Sequence, residues 1–551
     1  MRDIILAALQ KASGEDNISL EFPENDSFGD YSSNIAMVSG KKAEEIVEKL
    51  KKDKSLDNLV SKIDTAGPGF INFFLSEEAL LRQLGEINEK KEKYGSGEMG
   101  KAKTVVVDYS SPNIAKRFSV GHLRSTVIGQ ALYNLYKSLG YKTIGDNHLG
   151  DWGTQFGTLL YQIKDKGLKA DELSVDKLEE LYVEFNKEAE ESPKLWDEAR
   201  AQFKKLEEGD RQTRELWKAM VETSMREFER VYALLGVKID YAYGESFYED
   251  YMPKVIATLR EKGLAKKSQG AEIVEFEGLP PAMLVKKDGA TTYFTRDLAT
   301  ILFRIGSWDP QLIIYEVGME QNLHFKQVFE AAKLLGWAKD REFVHIGHGL
   351  IRFEHGKMST RKGDTIKLED VLNEAILRAR KIIDASETGR GLSDKEKEDV
   401  AKAVGIGAVK YFDLSHHPAT DIIFDWEKMF VLEGNSAAYL QYTVARTNSV
   451  LEKAGNKVNR ESNIKLNQEE LILLRGLVRF PETIAFAAEA YSPNLICNYL
   501  FGLAQKYNNF YNKHRILDSD NMQFRLNLSL ATGNVLKAGL AILGIDTPKR
   551  M

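Results

Sequence analysis

The stretch that most limits how this chain can fold runs from Thr104 to Leu139. It opens with Thr104, Val105, Val106 and Val107, a short β-branched run suited to a buried strand. It closes with Val127, Ile128, Ala131, Leu132, Leu135 and Leu139, apolar positions spaced three and four apart like the buried stripe of a helix. Between them lies a long polar turn, Asp108 to Arg124, with Gly121 and His122 at the helix entrance. A strand that feeds a helix in this way predicts an α/β layer. The first N–H groups of a helix have no internal partner and carry partial positive charge, so the turn is a natural seat for phosphate.

At 551 residues the chain is too long for one core and is expected to form several domains. Its 43% hydrophobic and 29% charged residues are those of an ordinary soluble protein. No apolar run approaches the ~20 residues that span a bilayer. The first residues, Met1 to Lys11, read as an amphipathic helix without a secretory cleavage pattern. A single cysteine, Cys497, excludes an internal disulfide and a zinc ribbon, and the nine histidines show no metal-ligand spacing. The adjacent His416 and His417 read as structural. A cytoplasmic protein with no zinc and no membrane partner is expected. Net charge is −6, but from Gly434 onward 14 Lys and Arg face 9 Asp and Glu, leaving +5 there and −11 on the remainder. That gradient is compatible with a polyanion bound at one end.

Residues 1–100 read as a small separate α+β domain with helical patterns at 3–12 and 42–52. It carries two glycine-centred turns, Phe28 to Tyr31 and Gly67 to Asn72, and ends in a glycine-rich linker at 94–100. Residues 101–365 offer strands at 103–109, 142–146, 272–276, 312–317 and 343–346 separated by helical stretches, which predicts a mostly parallel sheet. A charged helical insertion lies at about 164–262. Its clearest part, 164–235, places Trp217, Met220, Val221, Met225, Phe228, Val231, Tyr232 and Leu235 on one face. Residues 366–433 read as a helical stem, and 434–551 as a further helical domain.

The turn at Asp108 to Thr126, with Ser119, Val120, Gly121 and His122 at its centre, resembles the nucleotide signature of class I aminoacyl-tRNA synthetases in the variant that arginyl-tRNA synthetases carry. The family's first signature His is Ser119 here. The segment Gly356 to Gly363 is similar to the family's mobile cationic loop, with Lys357, Met358, Ser359, Arg361 and Lys362 in place. The loop's second Lys is Thr360, and by resemblance Lys116 takes over its role. The resemblance covers essentially the whole chain. It implies a Rossmann-type catalytic domain with a helical insertion, preceded by an appended domain that touches the tRNA corner. An all-α anticodon-binding domain would follow.

Amino-acid activation needs a nucleotide cradle, cations over the departing phosphates and a pocket for the side chain. By resemblance His122 bonds the α-phosphate and Gly121 leaves room for adenine. Ser119, Lys357, Met358 and Ser359 would also bind ATP, as would Gly150 in the turn from His148 to Gly153. His122, Lys116, Lys357 and Arg361 are the expected catalytic groups, and Mg²⁺ accompanies the phosphates. A guanidinium demands carboxylate acceptors. The stretch Tyr293 to Asp297 resembles the family's arginine pocket, which implies Asp297 facing the guanidinium with Tyr293 beside it, on one face if a helix has begun there; an Asp there could equally complement a helix dipole. Asp108 and Asn113 match family positions that hold the α-amino group or the side chain, and Gln321 matches another pocket residue. Trp152 could line the ATP side or be plain core.

For RNA, Tyr442, Arg446, Tyr507, Tyr511, Lys513 and Arg515 interleave aromatics with cations, a mix suited to splayed bases. The resemblance implies L-arginine, ATP and tRNA(Arg) as partners and activation of arginine only with tRNA bound, and a monomer is expected. Ser119 motivates one alternative, a tRNA-binding relative that no longer charges. The retained Gly121, His122, cationic loop and pocket acids argue against it.

Overall fold

The computed structural model describes residues 1–23, 25–353, 366–431, 434–455 and 465–551. The chain divides into two units. The first joins Met1–Tyr94 to Arg446–Glu482 and Gly502–Ala538; the second joins Gly95–Ala445 to Thr483–Phe501 and Gly539–Met551.

In the first unit, β1 (Tyr31–Ser33), β2 (Val60–Ala66) and β3 (Phe70–Leu75) form an antiparallel sheet in the order β1-β3-β2. Helices Arg2–Ser13, Ala43–Leu50 and Glu77–Lys90 accompany it, and Ile5, Leu9, Ile46, Leu50, Ile71, Phe73 and Leu80 are buried. The turn at Phe28 to Tyr31 needs its glycine. Gly29 has φ +94°, and a Cβ there would stand 2.6 Å from the Phe73 carbonyl oxygen. The next residue, Asp30, accepts the Leu75 N–H at 2.8 Å and pairs with Arg475 at 3.2 Å.

The second unit is built on a five-stranded sheet. Its strands are β4 (Thr104–Asp108), β5 (Lys142–Leu149), β6 (Tyr241–Gly244), β10 (Leu312–Gly318) and β11 (Glu342–His348), in the order β11-β10-β4-β5-β6 and parallel throughout. β7 (Ala265–Ser268), β8 (Ala271–Val274) and β9 (Ala282–Val285) form a separate antiparallel sheet. The expected strand at 272–276 is therefore real but outside the parallel sheet. The two-residue connection Gln269-Gly270, both at positive φ, makes a tight hairpin that can join only antiparallel neighbours.

The fifth parallel strand is β6, which lies inside the insertion expected to reach about 262. The helices Val175–Glu191, Leu195–Glu207 and Arg211–Leu235 precede it, so the helical part ends before Tyr241. The stem contains helices Leu368–Ala385 and Asp394–Leu414, plus a strand the sequence reading missed: β13 (Ile422–Phe424) pairs in parallel with β12 (Ile351–Phe353).

Candidate active site

β4, β5 and β10 end side by side, so Asp108, the β5 end and Glu316 lie along one edge of the sheet. Ligands of open parallel sheets bind outside such carboxyl ends. The chain leaves β4 through a strained turn: Ser110, Ser111 and Ala115 have φ of +75°, +46° and +64°. Such values cost a non-glycine residue on the order of 1 kcal/mol or more and persist only when the surroundings dictate them. Here the surroundings do. The Ser110 N–H donates to Ser125 Oγ at 2.9 Å, Ser111 N–H to Asn147 Oδ1 at 2.9 Å and Ile114 N–H to the Gly150 carbonyl at 3.0 Å. From helix Arg211–Leu235, Ser224 Oγ accepts the Ala115 N–H at 2.9 Å and the Tyr232 hydroxyl meets Ser110 Oγ at 2.8 Å.

The turn ends in a short 3₁₀ segment, Val120–His122, which runs into helix Leu123–Ser138. The Ser119 N–H donates to His122 Nδ1 at 3.1 Å, and Ser119 Oγ lies 3.2 Å from the same atom. A ring nitrogen that accepts a backbone N–H carries no proton, so the His122 proton sits on Nε2. Burial pushes the His122 pKa down to about 4, with the Lys116 charge adding to the effect. The imidazole is neutral near pH 7, with one N–H to give. Gly121 is exposed beside it.

The cationic segment, including Lys357, Met358, Ser359 and Arg361, lies outside the described residues, but its flanks do not. On the entry side, Leu350 N–H donates to Asp421 Oδ1 at 2.8 Å. On the exit side, Val120 N–H donates to the Ile366 carbonyl at 3.1 Å and Leu368 N–H to the Phe118 carbonyl at 3.0 Å. Ser119 and Lys367 face each other in that short antiparallel bridge. Lys116 is exposed, its Nζ 5.9 Å from the Tyr182 ring centre of the insertion.

Helix Tyr293–Trp308 begins at Tyr293, so Tyr293 and Asp297 share a face one turn apart. Asp297 Oδ2 bonds His324 Nε2 at 2.5 Å. Burial alone would raise the Asp297 pKa; the His324 bond and charge outweigh it, with His148 and Arg304, and hold it below the usual range. Tyr293 is 65% exposed, with the Arg296 guanidinium 5.5 Å from its ring centre. Gln321 is exposed three residues before His324.

A second carboxylate, Glu245, escaped the sequence reading. It follows β6, pairs with Arg296 at 3.2 Å and is raised to about 7, chiefly by burial, with Arg296 and His148 opposing and Asp297 and Asp151 adding. Its turn is fixed by Asp151, which accepts the Ser246 N–H at 2.8 Å and the Ser246 hydroxyl at 2.6 Å. Only the β6 signal could have led to Glu245, and β6 is too short and exposed to read.

Asn113 and Gly150 meet in a backbone bridge, and a Cβ on Gly150 would collide with the Asn113 amide. Asp108 is 4% exposed and already engaged: Oδ2 accepts from Arg304 at 2.7 Å, and Oδ1 lies 3.2 Å from the Ser111 hydroxyl. Arg304 reaches Asp146 at 2.8 Å as well. Trp152 packs edge-on against Phe203 and Trp217, so its ring is engaged with the insertion.

Of the RNA candidates, Tyr442 belongs to the second unit and is 38% exposed. Arg446, Tyr511 and Arg515 belong to the first. There the Arg446 guanidinium lies 4.8 Å from the Tyr511 ring centre and its Nη1 donates to Asn508 Oδ1 at 2.5 Å. Arg515 is exposed and pairs with Asp518 at 3.4 Å, and Lys513 pairs with Glu469 at 2.8 Å. Tyr507 is fully buried, so it is a core residue and no base platform. Among the described residues, no helix is long and apolar enough to cross a membrane, and no group of three or more His, Cys, Asp or Glu could hold a metal ion.

Residues 83–426 match the family model for the catalytic domain of class I tRNA synthetases of the arginine type. Residues 1–75 match the arginyl-tRNA synthetase N-terminal domain, and 440–551 the DALR anticodon-binding domain. Arginine–tRNA ligases of Fusobacterium nucleatum and Clostridioides difficile are 41% and 42% identical to the chain, each over 97% of it and 95% of the relative. The arginyl-tRNA synthetase structures of Plasmodium falciparum (25% identity, TM-score 0.84) and Thermus thermophilus (24%, 0.87) each cover 100% of this chain, and the chain covers 98% and 100% of theirs. The signature turn and the three matched domains thus agree, and the chain belongs to the arginyl-tRNA synthetase family of class I synthetases.

Proposed function

We infer that this chain is an arginine–tRNA ligase. It joins L-arginine to the α-phosphate of ATP with release of pyrophosphate, then passes the arginyl group to the 3′ end of tRNA(Arg) with release of AMP. The observation that carries this reading is the hydrogen-bonded bridge between Phe118–Val120 and Ile366–Leu368, which sets the described flank of the cationic segment against the turn that carries His122. ATP enters as its Mg²⁺ complex, and the enzyme acts as a cytoplasmic monomer.

In the first step an arginine carboxylate oxygen bonds to the α-phosphorus, and the bond from that phosphorus to the bridging oxygen of the leaving pyrophosphate breaks. The neutral His122 contributes its Nε2–H to an α-phosphate oxygen as charge builds there. Lys116, Lys357 and Arg361 offset the charge of the departing pyrophosphate, while Ser119, Gly121, Gly150, Met358 and Ser359 shape the nucleotide site. Asp297, with Glu245 and Tyr293, receives the guanidinium; Asn113 and Gln321 hold the remainder of the amino acid, and Asp108, buried and bonded to Arg304 and Ser111, acts by holding the turn that carries Asn113. Tyr442, Arg446, Tyr511 and Arg515 contact tRNA.

The test is ATP–pyrophosphate exchange with each amino acid in turn, with and without tRNA. Exchange with arginine alone is expected, and only in the arm with tRNA. Exchange driven by another amino acid would overturn the substrate assignment. Silence in both arms would favour the non-charging relative.

A further inference from the structure

Lys410 is 1% exposed in helix Asp394–Leu414, a costly place for an ammonium. Its Nζ donates to the Leu235 carbonyl at 2.8 Å and also to the Gly544 carbonyl. Leu235 is the last residue of helix Arg211–Leu235, and Gly544 follows the last helix, Met522–Ile542. Carbonyls at a helix end lack internal partners and carry partial negative charge, so the buried cation satisfies the terminal carbonyl of Leu235 together with the Gly544 carbonyl just past the last helix. Gly544 is shaped for this contact. It has φ +67°, and a Cβ there would stand 2.8 Å from the ammonium.

The helix that Lys410 grips at its end is the one that holds the signature turn. Within it, Ser224 Oγ accepts the Ala115 N–H, Glu227 Oε1 accepts the Phe118 N–H at 3.3 Å, and the Tyr232 hydroxyl bonds Ser110 Oγ and accepts from Asn147 Nδ2 at 3.0 Å. Ser110 and Ala115 are two of the three strained residues. A second tie runs in parallel. Asn134, on the signature helix, donates to the Ile542 carbonyl at 3.2 Å; Gln130 donates to Asn134 Oδ1 at 2.9 Å and accepts the Lys238 N–H at 2.6 Å. The end of the last helix is thus bonded both to the signature helix and, through Lys410, to the helix that fixes the turn.

We propose that Lys410 is a positioning residue for arginine activation: it joins the carboxy-terminal segment to helix Arg211–Leu235 and so sets the strained turn that presents His122. The proposal rests on the synthetase reading, and exchange by the parent enzyme tests that reading separately.

The experiment is a double-variant cycle on arginine-dependent exchange in the full-length enzyme, with tRNA present. It is run at a temperature where circular dichroism shows every variant folded. Lys410→Met keeps the side chain's length but removes the donor, and kcat is expected to fall roughly 10- to 100-fold with little change in KM for ATP. Tyr232→Phe removes only the far end of the chain of contacts and should cost about tenfold. Because both act through the same helix, the double variant should lose no more than Lys410→Met alone. Parent-like kcat in folded Lys410→Met would overturn the proposal, as would losses that simply multiply. If Lys410→Met does not fold, Gly544→Ala, which displaces the carbonyl from Nζ, replaces it in the same cycle under the same criteria.

Discussion

The backbone N–H of Ser119 donates to Nδ1 of His122 across 3.1 Å, so the tautomer of the signature histidine is set by main chain. The family's first signature His is a hydroxyl residue here, and that hydroxyl stands 3.2 Å from the same nitrogen. What the turn requires at position 119 is its N–H, which any residue but proline supplies.

Ser119→Ala therefore keeps the Nε2–H form of His122, and arginine-dependent exchange should fall by less than about tenfold. Ser119→Pro removes the donor and should cost roughly 100-fold or more, the scale of a lost transition-state hydrogen bond. Equal losses in the two variants would show that the hydroxyl, not the backbone, sets the ring.

His122 itself should stay neutral far below the ordinary histidine range, since its pKa is about 4 against 6.5. The sign for stability follows. Below pH 6.5 the unfolded chain takes up a proton that the folded one refuses, so this residue lowers stability as pH falls from 6.5 toward 4 and has no effect above that window. Imidazole nitrogen shifts recorded at pH 6 should report a neutral ring protonated on Nε2; a half-protonated ring would contradict it.

Asp297 is held ionised by the His324 bond at 2.5 Å. Asp297→Ala should raise KM for arginine by about 100-fold or more, because a charge-assisted acceptor is lost, while leaving tRNA affinity intact. His324→Leu should raise it less, since the carboxylate remains but loses its orienting partner. Charging kinetics unchanged in Asp297→Ala would remove this residue from the pocket.

Gly150→Ala tests a close approach. A methyl group there would push the Asn113 amide aside. The expected result is roughly a tenfold rise in KM for arginine with a small change in melting temperature, because the displaced group is exposed and the cost falls on binding. An unchanged KM would mean Asn113 does not hold the amino acid.

The strand at Thr104–Asp108 and the helix after it were legible because a β-branched run and a 3.6-residue stripe meet there without ambiguity. The spacing of four between Tyr293 and Asp297 puts them on one face only if a helix has begun, and the helix start at Tyr293 meets that condition. β6 was not legible. Tyr241 and Ala242 are exposed, so this strand joins a parallel sheet without the continuous apolar run such strands usually show. Missing it concealed Glu245, which directly follows the end of that strand. Tyr507 failed differently: helical spacing says which residues share a face, but not whether the face meets solvent or core. Lys410 sits in an ordinary amphipathic pattern, and only its carbonyl partners, 134 and 175 residues away, give it meaning.

If Glu245 receives the guanidinium as proposed, arginine recognition should be sensitive to pH. Its pKa of about 7 lies above the ordinary 4.5, chiefly through burial. For the empty protein, the protonated acid's contribution to stability is fully present below pH 4.5 and is lost as pH rises through 7. Binding runs the other way. A guanidinium needs the carboxylate, so affinity for arginine should improve as pH rises through 7 and fall by about tenfold for each unit below it. Arginine binding near pH 6 should then release a proton, seen in calorimetry as a heat that depends on the buffer's ionisation enthalpy. In Glu245→Gln that dependence should vanish and the pH profile of KM should flatten between about 5.5 and 7. If the variant kept the parent's slope, the ionisation would belong to another group and Glu245 would be only Arg296's structural partner.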